Sequence, residues 1–515
     1  MSATQPPNLR RITDMLPEVL FTPADDNAEA QRLVRLRKAG QIKPLYRGVY
    51  TSNFEADAAD VVRRNWQPIL AYLAPGAVLT HRSAFDTRPA DGWLYFSRAL
   101  GQRDLVLPGL NVRGIVKANR GALIGTDRPG ASDTSYRGIF VASQPRAFLE
   151  NLTQDKRLNA RQLPRTELEA RLEQIVAVRG AQAINGLRDD AREVAERLGL
   201  AVEFKALDGI VGALLGTHTA KVLTSRQAQS RAQGMPYDPN RLELFEKLIQ
   251  QLVAHQFAEL PEPARRGSPR AMFAFVESYF SNYIEGTTFT VEEAQDIIFN
   301  GKIILLRTED SHDVKGTFDA VLRDPYYSKP PRTVEEFLEW IKRVNATVMQ
   351  ARPDKLPGQW KAQANQAGST LFVGPDQVPE TLRKAWDLMA QLTQPMQRAL
   401  YAMFIVSEIH PFQDGNGRTA RLLMNAFLSE LAQCRIMIPT VFREDYLLSL
   451  KALSNNADAT PYIRAMSIGQ AWASELDYGV TVPDMNAQLD ACMAKKEDSR
   501  LYRLMSPKSK QPMSI

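Results

Sequence analysis

The chain has 515 residues, 44% of them apolar and 24% charged, with 29 Gly and 31 Pro. That length predicts several folded units, and the average composition excludes collagen-like, low-complexity and largely disordered architectures. Charge is uneven: residues 1–150 carry 20 Lys+Arg against 14 Asp+Glu, the whole excess of six, while the rest balance at 44 against 44. Two cysteines, Cys434 and Cys492, make neither a disulfide framework nor a zinc cluster and point to a reducing cytoplasm. The opening residues hold no signal-peptide core, and no run of about 18 apolar residues occurs. A soluble cytoplasmic protein with no membrane partner is expected.

In chain order, Arg10 to Tyr50 reads as short helices and a tight return. Asn27 to Gly40 places Leu33, Val34 and Leu36 among basic residues, with Asn27 as N-cap and Gly40 as stop. QIKPLYRGVYTS follows as a small basic hairpin, so residues 1–55 have the outline of a winged helix. Residues 56–160 read as mixed α and β, and 161–260 as a helical connection, ending in the linker candidate Pro261 to Pro269. Residues 270–480 show helical periods over 271–299, 333–351, 379–392, 395–409, 418–433 and 443–453. Gly358 to Pro375 interrupts them with two extended pieces around a turn. The lysine-rich tail, 481–515, reads as disordered. The expected fold is multidomain: an all-α half with one hairpin, preceded by a mixed α/β half.

Most of the chemistry lies between Glu408 and Leu428, EIHPFQDGNGRTARLLMNAFL. Pro411 biases His410 away from the α region, so a helix ends there, and its C-terminal dipole would favour protonation and a base near neutral pH. Gly415 and Gly417 free the backbone to turn N–H groups toward an anion at the start of a second helix near Arg418 or Thr419. Asp414 is a hard carboxylate of the kind Mg²⁺ uses with phosphate oxygens. Arg418 and Arg421, three apart, can reach one polyphosphate. The set suits nucleotidyl or phosphoryl transfer. The plainer alternative is a turn between core helices with a packed histidine.

His410-Pro411-Phe412-Gln413-Asp414-Gly415-Asn416-Gly417-Arg418-Thr419-Ala420-Arg421 resembles the Fic signature H-x-F-x-[D/E]-G-N-G-R-x-x-R at every specified position. The resemblance implies transfer of AMP from ATP to a Ser, Thr or Tyr hydroxyl of a target protein. His410 would be the general base and Asp414 the Mg²⁺ ligand. Gly415, Asn416 and Gly417, assisted by Arg418, would hold the α and β phosphates; Arg421 would hold the γ phosphate and Phe412 would anchor the loop. CTP or UTP in place of ATP stays open.

Ser281-Asn282-Tyr283-Ile284-Glu285-Gly286 resembles the inhibitory motif [S/T]-x-x-x-E-[G/N] of Fic proteins restrained from the N-terminal side, although Thr287 stands where that subclass often has Asn. Glu285 would pair with Arg421; a solvent-facing Glu at a helix end is the alternative. In some Fic proteins this Glu helps place a water that removes AMP, so the reverse reaction stays open. Trp360 to Pro375 lies where the family has a flap that clamps an extended target segment. Tyr446 is read as core, His81 as structural, and His312 as surface or packing. Gly316-Thr317 stand where the family often has a bracing Asn-His or Gly-His pair.

Residues 8–150, with LxKxGxIxxLxRGVY and the THRSA run, resemble the winged-helix start of bacterial abortive-infection type IV antitoxins. That likeness implies duplex DNA contacts by Arg32, Arg35, Arg37, Lys38, Lys43 and Arg47; a solvated basic face is the alternative. Two functions follow: an autoinhibited AMP transferase, or a DNA-binding regulator whose Fic part is silent. The intact His410, Asp414, Arg418 and Arg421 favour the enzyme.

Overall fold

All but two very short strands lie before residue 142, and long helices dominate afterwards. The computed structural model describes residues 16–98, 104–115, 121–153, 159–323, 329–367 and 370–513. Two units emerge, Met1–Gln233 and Gly234–Ile515.

The first unit starts with β1 (Val19–Phe21), α1 (Asn27–Lys38), β2 (Lys43–Tyr46) and β3 (Val49–Thr51), whose strands form an antiparallel sheet ordered β1-β3-β2. Asp26 rather than Asn27 caps α1, its carboxylate accepting from the Glu29 N–H at 3.0 Å. Leu33 is the buried contact of α1, packed with Leu20 and Ile42. The helix and basic hairpin expected here are present; the earlier helix expected from Arg10 lies mostly outside the described residues. After α2 (Ala58–Arg64) and α3 (Trp66–Leu73), the second sheet comprises β4 (Val78–Leu79), β5 (Trp93–Ser97), β6 (Leu105–Leu107), β7 (Leu110–Gly114), β8 (Thr134–Tyr136) and β9 (Ile139–Val141). Its order is β6-β7-β5-β4-β9-β8, with β5/β7 and β4/β9 parallel. The short α4 (Arg82–Asp86) follows His81, which is buried at the end of β4.

α5 (Gln144–Asn151), α6 (Arg165–Leu198), α7 (Ala201–Leu214) and α8 (Arg226–Ala232) share one apolar core. Gly180, at φ 78° and ψ 177°, breaks α6, which periodicity alone reads as continuous. The expected connecting region 161–260 is therefore not one body. Its larger part belongs to this core, and its last helix, α9 (Pro239–Ala254), belongs to the core of the second unit.

That unit continues with α10 (Gly267–Ile284), α11 (Val291–Phe299), α12 (Thr308–Arg323), α13 (Val334–Val348), β10 (Gln366–Ala367) and β11 (Thr370–Leu371). It closes with α14 (Val378–Leu388), α15 (Pro395–Ile409), α16 (Asn416–Glu430), α17 (Arg443–Asn456), α18 (Thr460–Glu475) and α19 (Val482–Ala491). α15 is buried almost all round and packs along α16, which fixes the turn between them at the centre of the unit.

Two expectations are corrected here. The linker candidate is pinned rather than free: Ala264 is 1% exposed, and Glu262 pairs with buried Arg435 at 3.2 Å, which Glu277 also meets at 2.8 Å. A buried guanidinium needs such carboxylates, so the proline-rich segment is held in place. The tail is folded too, since Met485, Leu489, Cys492 and Leu504 are buried and Met505 N–H donates to the Cys492 carbonyl at 3.0 Å. Val482, Met485, Leu489 and Cys492 follow helical spacing through α19, but the polar, lysine-rich residues around and after them masked that signal.

Candidate active site

His410 follows the last residue of α15 and adopts φ 55°, ψ 60°, a left-handed turn that ends the helix and sends Pro411 away from the axis. Its Nδ1 lies 3.1 Å from the Ser407 carbonyl oxygen. A carbonyl only accepts, so the proton sits on Nδ1 and Nε2 keeps its lone pair. Burial pushes the imidazole down to about 4, outweighing the Ser407 bond, with Lys361 adding repulsion and Glu285 and Asp414 opposing it. The helix-end expectation of a base near neutral pH is thus corrected: desolvation beats the dipole, and the ring is neutral at pH 7.

The following loop is held by its own side chains. Asn416 Oδ1 accepts from the Phe412 N–H and its Nδ2 donates to the Phe412 carbonyl, both at 2.9 Å. The Asn416 side chain therefore closes the loop instead of facing a phosphate. Gly415 caps α16 at φ 76°, and a Cβ there would lie 2.7 Å from the Met349 sulfur, so only glycine fits. α16 starts at Asn416, two residues before the start expected from sequence, so its first-turn N–H groups belong to the glycine loop. Asp414 Oδ1 accepts from the Gly415 N–H at 2.6 Å, and its carbonyl accepts from Asn345 Nδ2 at 2.9 Å.

The two arginines part company. Arg421 Nη2 donates to Glu285 Oε1 at 2.7 Å and to the Ser281 carbonyl at 2.8 Å, and its Nε to Ser281 Oγ at 3.1 Å. Burial pushes the Glu285 carboxyl up, but the charges of Arg421 and Arg418 outweigh it and hold it below its ordinary value. Glu285 also leans over the glycine loop: a Cβ on Gly417 would sit 2.4 Å from its Oε1. The carboxylate thus lies against the glycine loop. Arg418 Nη1 pairs with buried Asp313 at 2.7 Å, and the other partner of Asp313 is Arg352 Nε at 2.9 Å. Arg418 Nη1 thus rests in a buried ion pair beside the loop. Asp313 was not legible beforehand; its only signal was a carboxylate in the segment where a brace was sought. His312 beside it is exposed.

The extended pieces form a two-stranded antiparallel ribbon, Gln366 opposite Leu371 and Ala367 opposite Thr370, with residues 368–369 outside the described set. It is tied to the loop at several points. Lys361 N–H donates to the Pro411 carbonyl at 2.9 Å, Asn365 Nδ2 to the Phe412 carbonyl at 3.1 Å, and Trp360 stacks on Phe412. Phe372 stacks on His410 with centroids 3.9 Å apart. Lys361 Nζ, buried between Asn365 Oδ1 at 2.6 Å and the Ile409 carbonyl at 3.4 Å, is pushed down to about 7 by desolvation and by Arg241. Neither Lys361 nor Phe372 stood out in the sequence, because a lysine and a phenylalanine in a loop carry no spacing signal. Tyr446 is buried, as expected, beside Arg421.

Residues 336–428 match the Fic/DOC family model. The chain carries a Fic domain. The matched stretch runs from α13 through the ribbon, His410 and the glycine loop to α16, while Glu285 on the end of α10 precedes the Fic domain proper. "Protein adenylyltransferase fic-1" of Caenorhabditis elegans is 29% identical over 201 residues, covering 37% of this chain and 38% of the worm protein. "Protein adenylyltransferase Fic" of Drosophila melanogaster is 27% identical over 289 residues, covering 54% and 56%. The chain thus spans between two fifths and just over half the length of these curated relatives. A solved structure of residues 134–508 of C. elegans Fic-1 covers 59% of this chain and 88% of its own at 18% identity and a TM-score of 0.35.

Among the described residues no group of three or more His, Cys, Asp or Glu could hold a metal by itself. Asp414, with one oxygen spent on the Gly415 N–H, fits Mg²⁺ only as one ligand beside substrate phosphates. In the other unit, Arg32, Arg35, Arg37 and Lys38 are exposed on α1, and Arg47 at the hairpin turn. Arg32 pairs with Glu29 at 2.9 Å, and Lys43 lies 5.4 Å from the Phe54 ring. No helix among the described residues is long and apolar enough to cross a membrane.

Proposed function

We propose that the protein transfers AMP from ATP to a Ser, Thr or Tyr hydroxyl of a target protein and that Glu285 restrains this reaction. The observation that carries the reading is a neutral imidazole with a free Nε2 lone pair directly before a glycine-rich helix N-terminus. His410 Nε2 takes the proton of the target hydroxyl as its oxygen bonds the α phosphorus. The bond from that phosphorus to the bridging β oxygen breaks, and pyrophosphate leaves. The N–H groups of Asn416 and Gly417 hold the phosphates, with Gly415 shaping the turn, and Arg421, once released from Glu285, meets the γ phosphate. Asp414 would hold Mg²⁺ beside the substrate phosphates, where the ion would neutralise phosphate charge. The ribbon offers backbone to an extended target segment.

Arg418, braced by Asp313 at the start of α16, assists at the phosphates. Incubation of wild type and Glu285→Gly with ATP and Mg²⁺, followed by intact mass of the protein and of lysate proteins, tests the reading. Labelling in Glu285→Gly that disappears in His410→Ala supports it; no labelling in any form refutes it. The partly exposed position of the Glu285 carboxylate, 30% accessible, also favours a second reading, in which it orients a water that removes AMP from a modified target.

For the first unit, the exposed cations of α1 and the hairpin support duplex DNA contact. Full-length protein should bind duplex DNA with a steep salt dependence, lost on Arg35→Glu/Arg37→Glu/Arg47→Glu; no binding at about 50 mM salt removes the idea. Two buried, free cysteines support a reducing cytoplasm.

A further inference from the structure

The flap reaches the base itself. Phe372 follows β11 and lays its ring on the His410 imidazole, centroids 3.9 Å apart and planes 6° from parallel. The Nε2 lone pair lies in the plane of the ring, so any rotation of that plane swings the acceptor off the line of an incoming proton. The Ser407 bond to Nδ1 sets the tautomer and one point of the ring edge, and a parallel ring across one face restrains the remaining twist.

Phe372 is itself held from several sides. Its N–H donates to the Asn365 carbonyl at 3.2 Å, and Asn365 Nδ2 reaches the Phe412 carbonyl. Arg241 Nη2 donates to the Leu371 carbonyl at 2.7 Å while Nη1 pairs with Glu408 of α15 at 2.7 Å. Lys361 joins Asn365 Oδ1 to the Ile409 carbonyl one residue before the base. Ribbon and helix end therefore form one polar-tied body, with Phe372 as its contact to the imidazole.

Resting on the proposed AMP transfer, we propose that Phe372 is a positioning residue that fixes the plane of the His410 imidazole, so that Nε2 meets the target hydroxyl edge-on. An aromatic ring at 372 does this by lying flat against the imidazole; an aliphatic side chain of similar bulk covers the same area without defining a plane. A purely space-filling role makes leucine as good as phenylalanine, and the two roles separate on that difference.

The experiment uses full-length protein in the Glu285→Gly background with Phe372→Tyr and Phe372→Leu, and Phe372→Met where leucine fails to fold. The tyrosine variant should keep kcat within about twofold, and the aliphatic variants should lose between about 10- and 100-fold in kcat with KM for ATP nearly unchanged. In parallel, ¹⁵N-labelled histidine is observed in wild type and in Phe372→Leu, with His410→Gln assigning the signal among five histidines. Wild type should show a proton-bearing Nδ1 and a bare Nε2; in the aliphatic variant the freed twist carries Nδ1–H off the line to the Ser407 carbonyl, so both shifts should move toward a tautomer average. Unchanged ¹⁵N shifts in Phe372→Leu, or a kcat within twofold of the parent in the aliphatic variants, overturns the proposal. If Glu285→Gly is itself inactive, the AMP-transfer reading fails, and the ¹⁵N comparison alone decides whether Phe372 holds the ring.

Discussion

Arg421 Nη2 sits 2.7 Å from Glu285 Oε1, joining the end of α10 to the second turn of α16 across 136 residues of sequence. The pair withdraws the cation that a triphosphate would meet, and the same carboxylate lies against Gly417, where the phosphates would sit. One side chain thus subtracts an attraction and adds a repulsion at a single place.

Removing that carboxylate should release both effects. Glu285→Gly is expected to raise AMP transfer by about 10- to 100-fold, the equivalent of roughly 1.4 to 2.8 kcal/mol for a like charge lifted from a phosphate site. It should also tighten ATP binding, measured by calorimetry, and unchanged affinity would show that Glu285 does not face the nucleotide.

Arg418 and Arg421 should fail differently. Arg418→Ala strands Asp313, 2% exposed, with Arg352 as its remaining cation, and is expected to cost about 3 kcal/mol of stability in urea unfolding. Arg421→Ala leaves a carboxylate that is 30% exposed and still solvated, so its stability cost should be under about 1 kcal/mol while activity in the Glu285→Gly background collapses. Equal stability losses would contradict the division of roles.

The pH dependence follows from His410, whose folded value of about 4 lies below the ordinary 6.5. Between those values the unfolded chain binds more protons, so stability rises with pH across this window and is lost as pH falls from 6.5 toward 4. The contribution is about 3 kcal/mol, seen as the difference between wild type and His410→Gln in unfolding measured at pH 7 and pH 4.5. Because the Glu285 charge raises the imidazole value, the acid limb of kcat/KM in Glu285→Gly should lie at or below about 4; a limb near 6.5 would show an imidazole in contact with water.

Much of this site is local in sequence, and that part was legible. The signature loop, the end of α15 at His410 and the start of α16 follow from proline, glycine and periodicity within a dozen residues. What escaped depends on contacts between distant segments. Arg418 pairs with Asp313, Asn416 bonds Phe412, and burial sets the protonation of His410. In α12 and α18 the helical pattern is interrupted by Gly316 and Gly469, where a Cβ would lie 3.0 Å from the Thr347 carbonyl and 2.6 Å from the Met437 carbonyl. Close approach of neighbouring backbone put glycines in those helices and weakened their signal.

The tail illustrates the same limit and can be tested by itself. Leu504 is 3% exposed and packs in the core of the second unit, so Leu504→Ala should cost about 2 to 5 kcal/mol in urea unfolding. A change below about 0.5 kcal/mol would mean that the tail is not docked.

The most direct measurement of the central claim is intact mass spectrometry of three full-length proteins incubated with ATP and Mg²⁺: wild type, Glu285→Gly and Glu285→Gly/His410→Ala. The expected result is added AMP on Glu285→Gly or on its lysate targets, little on wild type, and none on the double variant. Equal labelling of wild type and Glu285→Gly, or labelling that survives loss of His410, would contradict the account.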